Sequence, residues 1–119
     1  ALCKTGQTWT NAKEIAQALG GHLVTITSEG EQNAIMEGLS GVGSTTYIWM
    51  GATDYEREGV WHWVTGEAMN YGNWNPGEPN NSEGVEDFGH IYFESTIGKW
   101  NDIRETTAWY IIEFDYIVD

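Results

Sequence analysis

The stretch "GEPNNSEGVED", residues 77–87, carries four carboxylates, two adjacent asparagines, one proline and two glycines, and Val85 is its one aliphatic side chain. Apolar burial cannot order a segment with so little apolar surface. Carboxylates and amides clustered at short spacing suit a hard cation instead. Calcium takes about six to eight oxygen ligands. A second oxygen-rich stretch, "GKWNDI" at residues 98–103, adds Asn101 and Asp102. Glu78, Glu86 and Asp102 then offer carboxylates, while Asn80 and Asn101 offer neutral amide oxygens. Glu78 and Asn80 flank Pro79, and a proline peptide tolerates the cis form far better than any other. A cis bond there would let both flanking side chains reach one ion.

The charge balance of the chain fits this reading. The 119 residues carry 18 acidic and 5 basic side chains, a net −13. Residues 1–53 hold four acids and two lysines, whereas residues 54–119 hold fourteen acids and three basic residues. Nucleic acid is a poor partner for such a surface, because binding it requires cationic side chains that displace counterions. The length predicts one domain over residues 1–119, large enough for a real core. Seven Trp, six Tyr and three Phe supply bulky material for it. No apolar run of about 18 residues occurs, so no membrane insertion is expected. No signal peptide is visible, and targeting information is expected elsewhere in a larger multi-domain protein.

Periodicity divides the chain into a helical start and a β-rich remainder. "TWTNAKEIAQALGG" sets Ala12, Ile15, Ala16 and Leu19 on one helical face, and Gly20-Gly21 ends the helix. "HLVTI" alternates as a strand. In "SEGEQNAIMEGL", Ser28 and Glu31 have capping-box spacing, which predicts a second helix. "SGVGSTT", residues 40–46, reads as a loop. "YIWMGA", "VWHWV", "FGHIYF", "GKW" and "AWYIIEF" read as short strands. Residues 65–86 form a long turn-rich segment, and loops of that length are often functional.

In order along the chain, these segments resemble the C-type lectin-like domain family over nearly the whole length. "TWTNAKEIAQALGGHLVTI" is similar to the family's first helix and strand, and "SEGEQNAI" to its second helix. "IWMGATDYEREGVWHWVTGE" is similar to its central strand and aromatic hairpin. "NWNPGEPNN" carries the Glu-Pro-Asn motif and "GKWNDI" the Trp-Asn-Asp motif. The resemblance implies an α+β fold with two helices followed by small antiparallel sheets and a long calcium-binding loop region. It also implies the cis isomer at Glu78-Pro79. A primary calcium is implied at Glu78, Asn80, Glu86, Asn101 and Asp102, and a secondary calcium at Asp54, Glu58, Asn81 and Asp87, with Glu86 shared by both sets.

The implied function is calcium-dependent binding of mannose-, glucose- or fucose-type sugars through two vicinal hydroxyls. Glu78 and Glu86 would accept from these hydroxyls, and Asn80 and Asn101 would donate to them through their amide groups. The galactose-type Gln-Pro-Asp pattern is missing. Some family members bind protein or ice instead, so a calcium-shaped module without a sugar ligand is the alternative.

The chain departs from the family in its cysteines. The four disulfide positions implied by the resemblance hold Ala16, Phe88, Glu105 and Ile112, and the one cysteine is Cys3. Ala16, Phe88 and Ile112 are expected to fill the lost volume with apolar packing; Glu105 has no such explanation. A disulfide-free chain of this charge suits a bacterial surface protein or a phage protein. It is expected to act extracellularly, as a module of a cell-surface adhesin meeting glycans on a host or neighbouring cell.

No enzyme chemistry is expected. His22, His62 and His90 lack zinc-type spacing and have no serine or cysteine in a nucleophile context. Paired acids such as Glu86-Asp87 are expected to ligate metal and not to act as a glycosidase pair. The tryptophans, Trp74 included, are expected mainly in the core.

Overall fold

A computed structural model of the protein describes residues 2–39, 47–57, 59–79, 86–92 and 98–114. The two ends of the chain meet in one strand pair. β1 (Leu2–Gln7), which periodicity did not reveal, runs antiparallel to β7 (Ala108–Glu113), with Cys3 opposite Tyr110 and Gln7 opposite Ala108. β7 in turn lies parallel to β3 (Tyr47–Thr53), which is antiparallel to β5 (Phe88–Tyr92), and β5 is antiparallel to β6 (Trp100–Ile103). The sheet order is β1-β7-β3-β5-β6, with β2 (His22–Leu23) against β7 and β4 (His62–Trp63) against β3. The expected α+β fold of two helices and antiparallel strand pairs is present, with one parallel pair, β3 and β7, at its centre.

α1 (Trp9–Ala18) starts at Thr8, whose hydroxyl accepts from Asn11 N–H at 3.2 Å. Trp9, Ala12 and Ala16 are buried on its inner face. Leu19, expected on that face, caps the helix and is 60% exposed. Gly20 there has φ +88°, a left-handed conformation that glycine adopts at little cost. α2 (Glu29–Gly38) starts at Ser28, whose side chain accepts from Glu31 N–H. The return arm of the expected capping box lands one residue early. Glu31 Oε1 accepts from Thr27 N–H at 2.7 Å and from the Thr27 hydroxyl at 2.6 Å.

"HLVTI" pairs regularly over two residues alone. Beyond them Val24, Thr25 and Ile26 stay buried while their backbone bonds diverge: Val24 N–H donates to Ile111 O, and Gly51 N–H donates to Val24 O. The passage is tight. A Cβ on Gly51 would meet Leu23 O and Val64 Cγ2, both at 2.8 Å, so a side chain is excluded there.

Two apolar clusters form the core. One gathers Trp9, Ala16, Leu23, Trp49, Phe88 and Ile112, and the other Ile26, Met50, Trp63, Ile91 and Trp100. Ala16, Phe88 and Ile112 thus share one cluster, as expected for apolar replacement of the implied disulfides. Trp9 Nε1 donates to Met50 O and Trp49 Nε1 to Gln7 O, both at 2.9 Å, so two of the indoles pin remote backbone as they pack.

Glu105 also finds an explanation. Its Oε2 accepts from Thr10 N–H at 2.7 Å, across 95 residues. The first turn of α1 contains no acid, so a carboxylate brought in from the loop between β6 and β7 satisfies an end-group donor and faces the positive end of the helix dipole. A polar tether therefore joins the β6–β7 loop to α1, beside Phe88. Glu105→Ala is expected to lower unfolding stability by about 1 kcal/mol, and Glu105→Gln, which keeps an acceptor without the charge, by about half as much. Urea titrations at low and high salt measure both values; two variants indistinguishable from the parent would remove this role.

Candidate functional site

The candidate site begins with β6. Trp100, Asn101 and Asp102 are consecutive and all buried, and Asp102 is fully inaccessible. β6 is the last strand in the sheet order, and its inner neighbour β5 places His90 opposite Asn101 and Gly89 opposite Asp102. On the other side the loop arm is bonded to the same strand. Trp100 N–H donates to Asn73 O and Asn75 N–H donates to Trp100 O, each at 2.9 Å. Lower in the arm, Glu78 N–H donates to Asn75 O, and the Glu78-Pro79 bond is cis. Glu78 therefore ends a turn whose base is hydrogen-bonded to the strand that carries Asn101 and Asp102.

Side-chain packing supports the backbone bonds. Trp74 is half-buried and meets Trp61 edge-on at 4.9 Å and Trp100 at 5.6 Å, in agreement with its expected core role. Trp100 Nε1 donates to Gln32 Oε1, while Gln32 Nε2 and Asn73 Nδ2 both donate to Gly98 O. The buried glutamine of α2 thereby fixes the turn that leads into β6.

Asn101 Oδ1 is buried and accepts no hydrogen bond among the described residues. Asn75 Oδ1 is in the same condition, and the sequence reading did not single it out. An uncompensated buried carbonyl oxygen costs about 1–3 kcal/mol. A cation would satisfy it, and so the chemistry of the donors present fits calcium: hard amide and carboxylate oxygens beside a buried aspartate. Among the described residues, no group of three or more His, Cys, Asp or Glu side chains stands ready for a metal. Of the five primary candidates, Glu78, Glu86, Asn101 and Asp102 are described, and Asn80 lies outside the described residues.

The secondary candidates divide in the same way. Asp54 and Asp87 are brought together through their main chains: Asp54 N–H donates to Asp87 O at 3.2 Å, and the Thr53 hydroxyl donates to Asp87 O at 2.7 Å. Asp54 is 1% exposed, and its Oδ2 accepts from Gly59 N–H at 2.8 Å. Glu58 and Asn81 lie outside the described residues.

The histidines serve the fold. His90 is buried edge-on against Trp49, and that burial lowers its pKa from 6.5 to about 3, so the ring is neutral at physiological pH. His22 Nδ1 donates to Leu23 O, and His62 on β4 pairs with Thr53 on β3.

Comparison with known proteins places this architecture. The family model described as "Lectin C-type domain" matches residues 5–112. A perlucin-like protein of Mytilus galloprovincialis is 37% identical over 100 residues, covering 82% of this chain and 63% of that protein. The chain thus spans less than two thirds of that relative's length. The cow CD23 C-type carbohydrate-recognition domain, solved in the presence of a GlcNAc2Man3 oligosaccharide, superposes with a TM-score of 0.80 at 27% identity, covering 93% of this chain and 82% of that one. A calcium-independent type II antifreeze protein shares the fold, with a TM-score of 0.80 at 24% identity and coverages of 93% and 81%. With the family model spanning both helices and every strand except the start of β1 and the last residue of β7, the chain belongs to the C-type lectin domain family.

Proposed function

We propose that residues 1–119 are a single calcium-dependent carbohydrate-binding module, part of a larger extracellular or cell-surface adhesin, which recognises vicinal diols of mannose, glucose or fucose type. The observation that carries this reading is the Asn101 amide oxygen, buried without a hydrogen bond among the described residues, beside the buried Asp102. Glu78, Asn80, Glu86, Asn101 and Asp102 would hold the primary ion, and Asp54, Glu58, Asn81 and Asp87 a secondary one. Bound calcium supplies a divalent charge and coordination positions that two sugar hydroxyls can fill. The Glu78 and Glu86 carboxylates keep lone pairs to accept from those hydroxyls, and the Asn80 and Asn101 amide groups donate to them. The oligosaccharide present with the CD23 domain supports the same ligand class for this chain. The Mytilus and cow proteins are animal proteins, so a bacterial or phage origin rests on the missing cysteines and the acidic charge. The antifreeze protein shows that the fold also occurs in proteins named for something other than sugar binding. A glycan array run with calcium and with chelator therefore decides the function: mannose-type binding that chelator abolishes is expected, and an array blank at millimolar calcium overturns the proposal.

Two further outcomes are expected. A ligand that binds the folded state alone adds about 2.7 kcal/mol at a hundredfold excess over its Kd. Chelator should therefore lower the melting temperature by about 10 °C for a chain of this size; an unchanged melt would argue against both ion sites. Asn80→Asp and Asn101→Asp keep an oxygen for calcium but lose the amide donor. Calcium affinity should hold or rise, while sugar affinity falls about ten- to a hundredfold, the equivalent of about 1–3 kcal/mol for an unpaired polar group. Calorimetric titration of each ligand separates the two effects.

A further inference from the structure

A cavity of about 350 Å³ opens between α1 and the β3–β4 hairpin, and its walls include none of the primary-site candidates. Its volume lies in the range of small-molecule sites, about 300–1,000 Å³. One wall is a ladder of three rings. Tyr55 stacks on Phe88 with centroids 6.1 Å apart and planes 17° apart, and Phe88 stacks on Trp9 at 4.7 Å. Trp9 and Phe88 are buried, but Tyr55 is 72% exposed, so the ladder ends in a ring accessible from solvent. Two carboxylates, Glu56 and Glu105, line the cavity against one ammonium, Lys13, which sits 5.8 Å over the Trp9 ring.

We propose that this cavity is a second ligand site, separate from the calcium loop, for a small organic cation with an apolar body, of the arylalkylammonium class. Three features converge on that chemistry. Aromatic faces are electron-rich and attract ammonium groups, and Tyr55 offers such a face at the entrance. Glu105 is committed to Thr10 N–H, and Glu56 at the rim is the carboxylate that a ligand ammonium would meet beside Tyr55. The chain's net charge of −13 repels anions at longer range and draws cations in. Phe88 and Val64 supply the apolar floor that an aryl body needs. The site goes beyond the sugar-binding proposal and does not depend on it.

The test uses the 119-residue chain in calcium buffer with three probes of similar shape: phenethylammonium, neutral 2-phenylethanol and anionic phenylacetate. Binding is followed by tryptophan indole N–H shifts in NMR titrations. Phenethylammonium should saturate with a Kd in about the millimolar range, as expected for so small a ligand. It should bind about 3- to 30-fold more tightly than phenylacetate and lose a similar factor in Tyr55→Ala, the size of a cation–π contact. Tyr55→Phe should retain binding, and Glu56→Gln should weaken it by up to about fivefold. Tyr55 and Glu56 are both exposed, so neither change threatens the fold. Saturating methyl α-mannoside should leave the cation in place. Equal affinity for the anion, full affinity in Tyr55→Ala, absence of saturation, or displacement by the mannoside would each overturn the proposal.

Discussion

Trp100 is the residue on which the functional end of this molecule depends. Its backbone N–H and C=O bind Asn73 and Asn75, its indole N–H binds Gln32, and its ring packs edge-on against Trp63, Tyr71 and Trp74. A fully buried tryptophan with every one of these polar groups satisfied leaves its strand little freedom. The next two residues, Asn101 and Asp102, are two of the five proposed oxygen donors. Their positions are therefore set by the packing and hydrogen bonds of Trp100. The loop arm down to Glu78 is held in the same way, by hydrogen bonds to Trp100 and a single turn.

That division of labour accounts for the uneven distribution of charge and apolar mass. The sheet and α1 bury the tryptophans and aliphatic residues, while the loop from residue 77 onward is almost wholly polar. A segment of this kind loses conformational entropy on ordering without apolar burial to offset it. Polar ligation by the proposed cation would offset that cost.

The cysteine positions show how a family fold persists after its cross-links are replaced. Of the four positions where the resemblance implies cysteines, Ala16, Phe88 and Ile112 pack in one apolar cluster, a short-range and non-directional contact. The fourth, Glu105, reaches the N-terminus of α1. Phe88 and Glu105 both line the cavity whose rim carries the exposed Tyr55.

What the sequence determined by itself was local. The helix start at Ser28, the helix end at Gly20, and the oxygen-rich motifs around Glu78 and Asn101 were all legible, because capping, turn and donor chemistry depend on residues within a few positions of one another. The motifs in order were also enough to identify the family. The sequence did not reveal β1, the shortening of "HLVTI" and "VWHWV" to two paired residues each, or the exposure of Leu19. Nor did it reveal the Glu105 bond to Thr10, the uncompensated amide oxygens of Asn75 and Asn101, or the ring ladder. Each of these depends on partners tens of residues away, and strand pairing and burial are decided by which distant surface arrives opposite. Chain-local periodicity carries no information about that surface, so only the tertiary structure decided them.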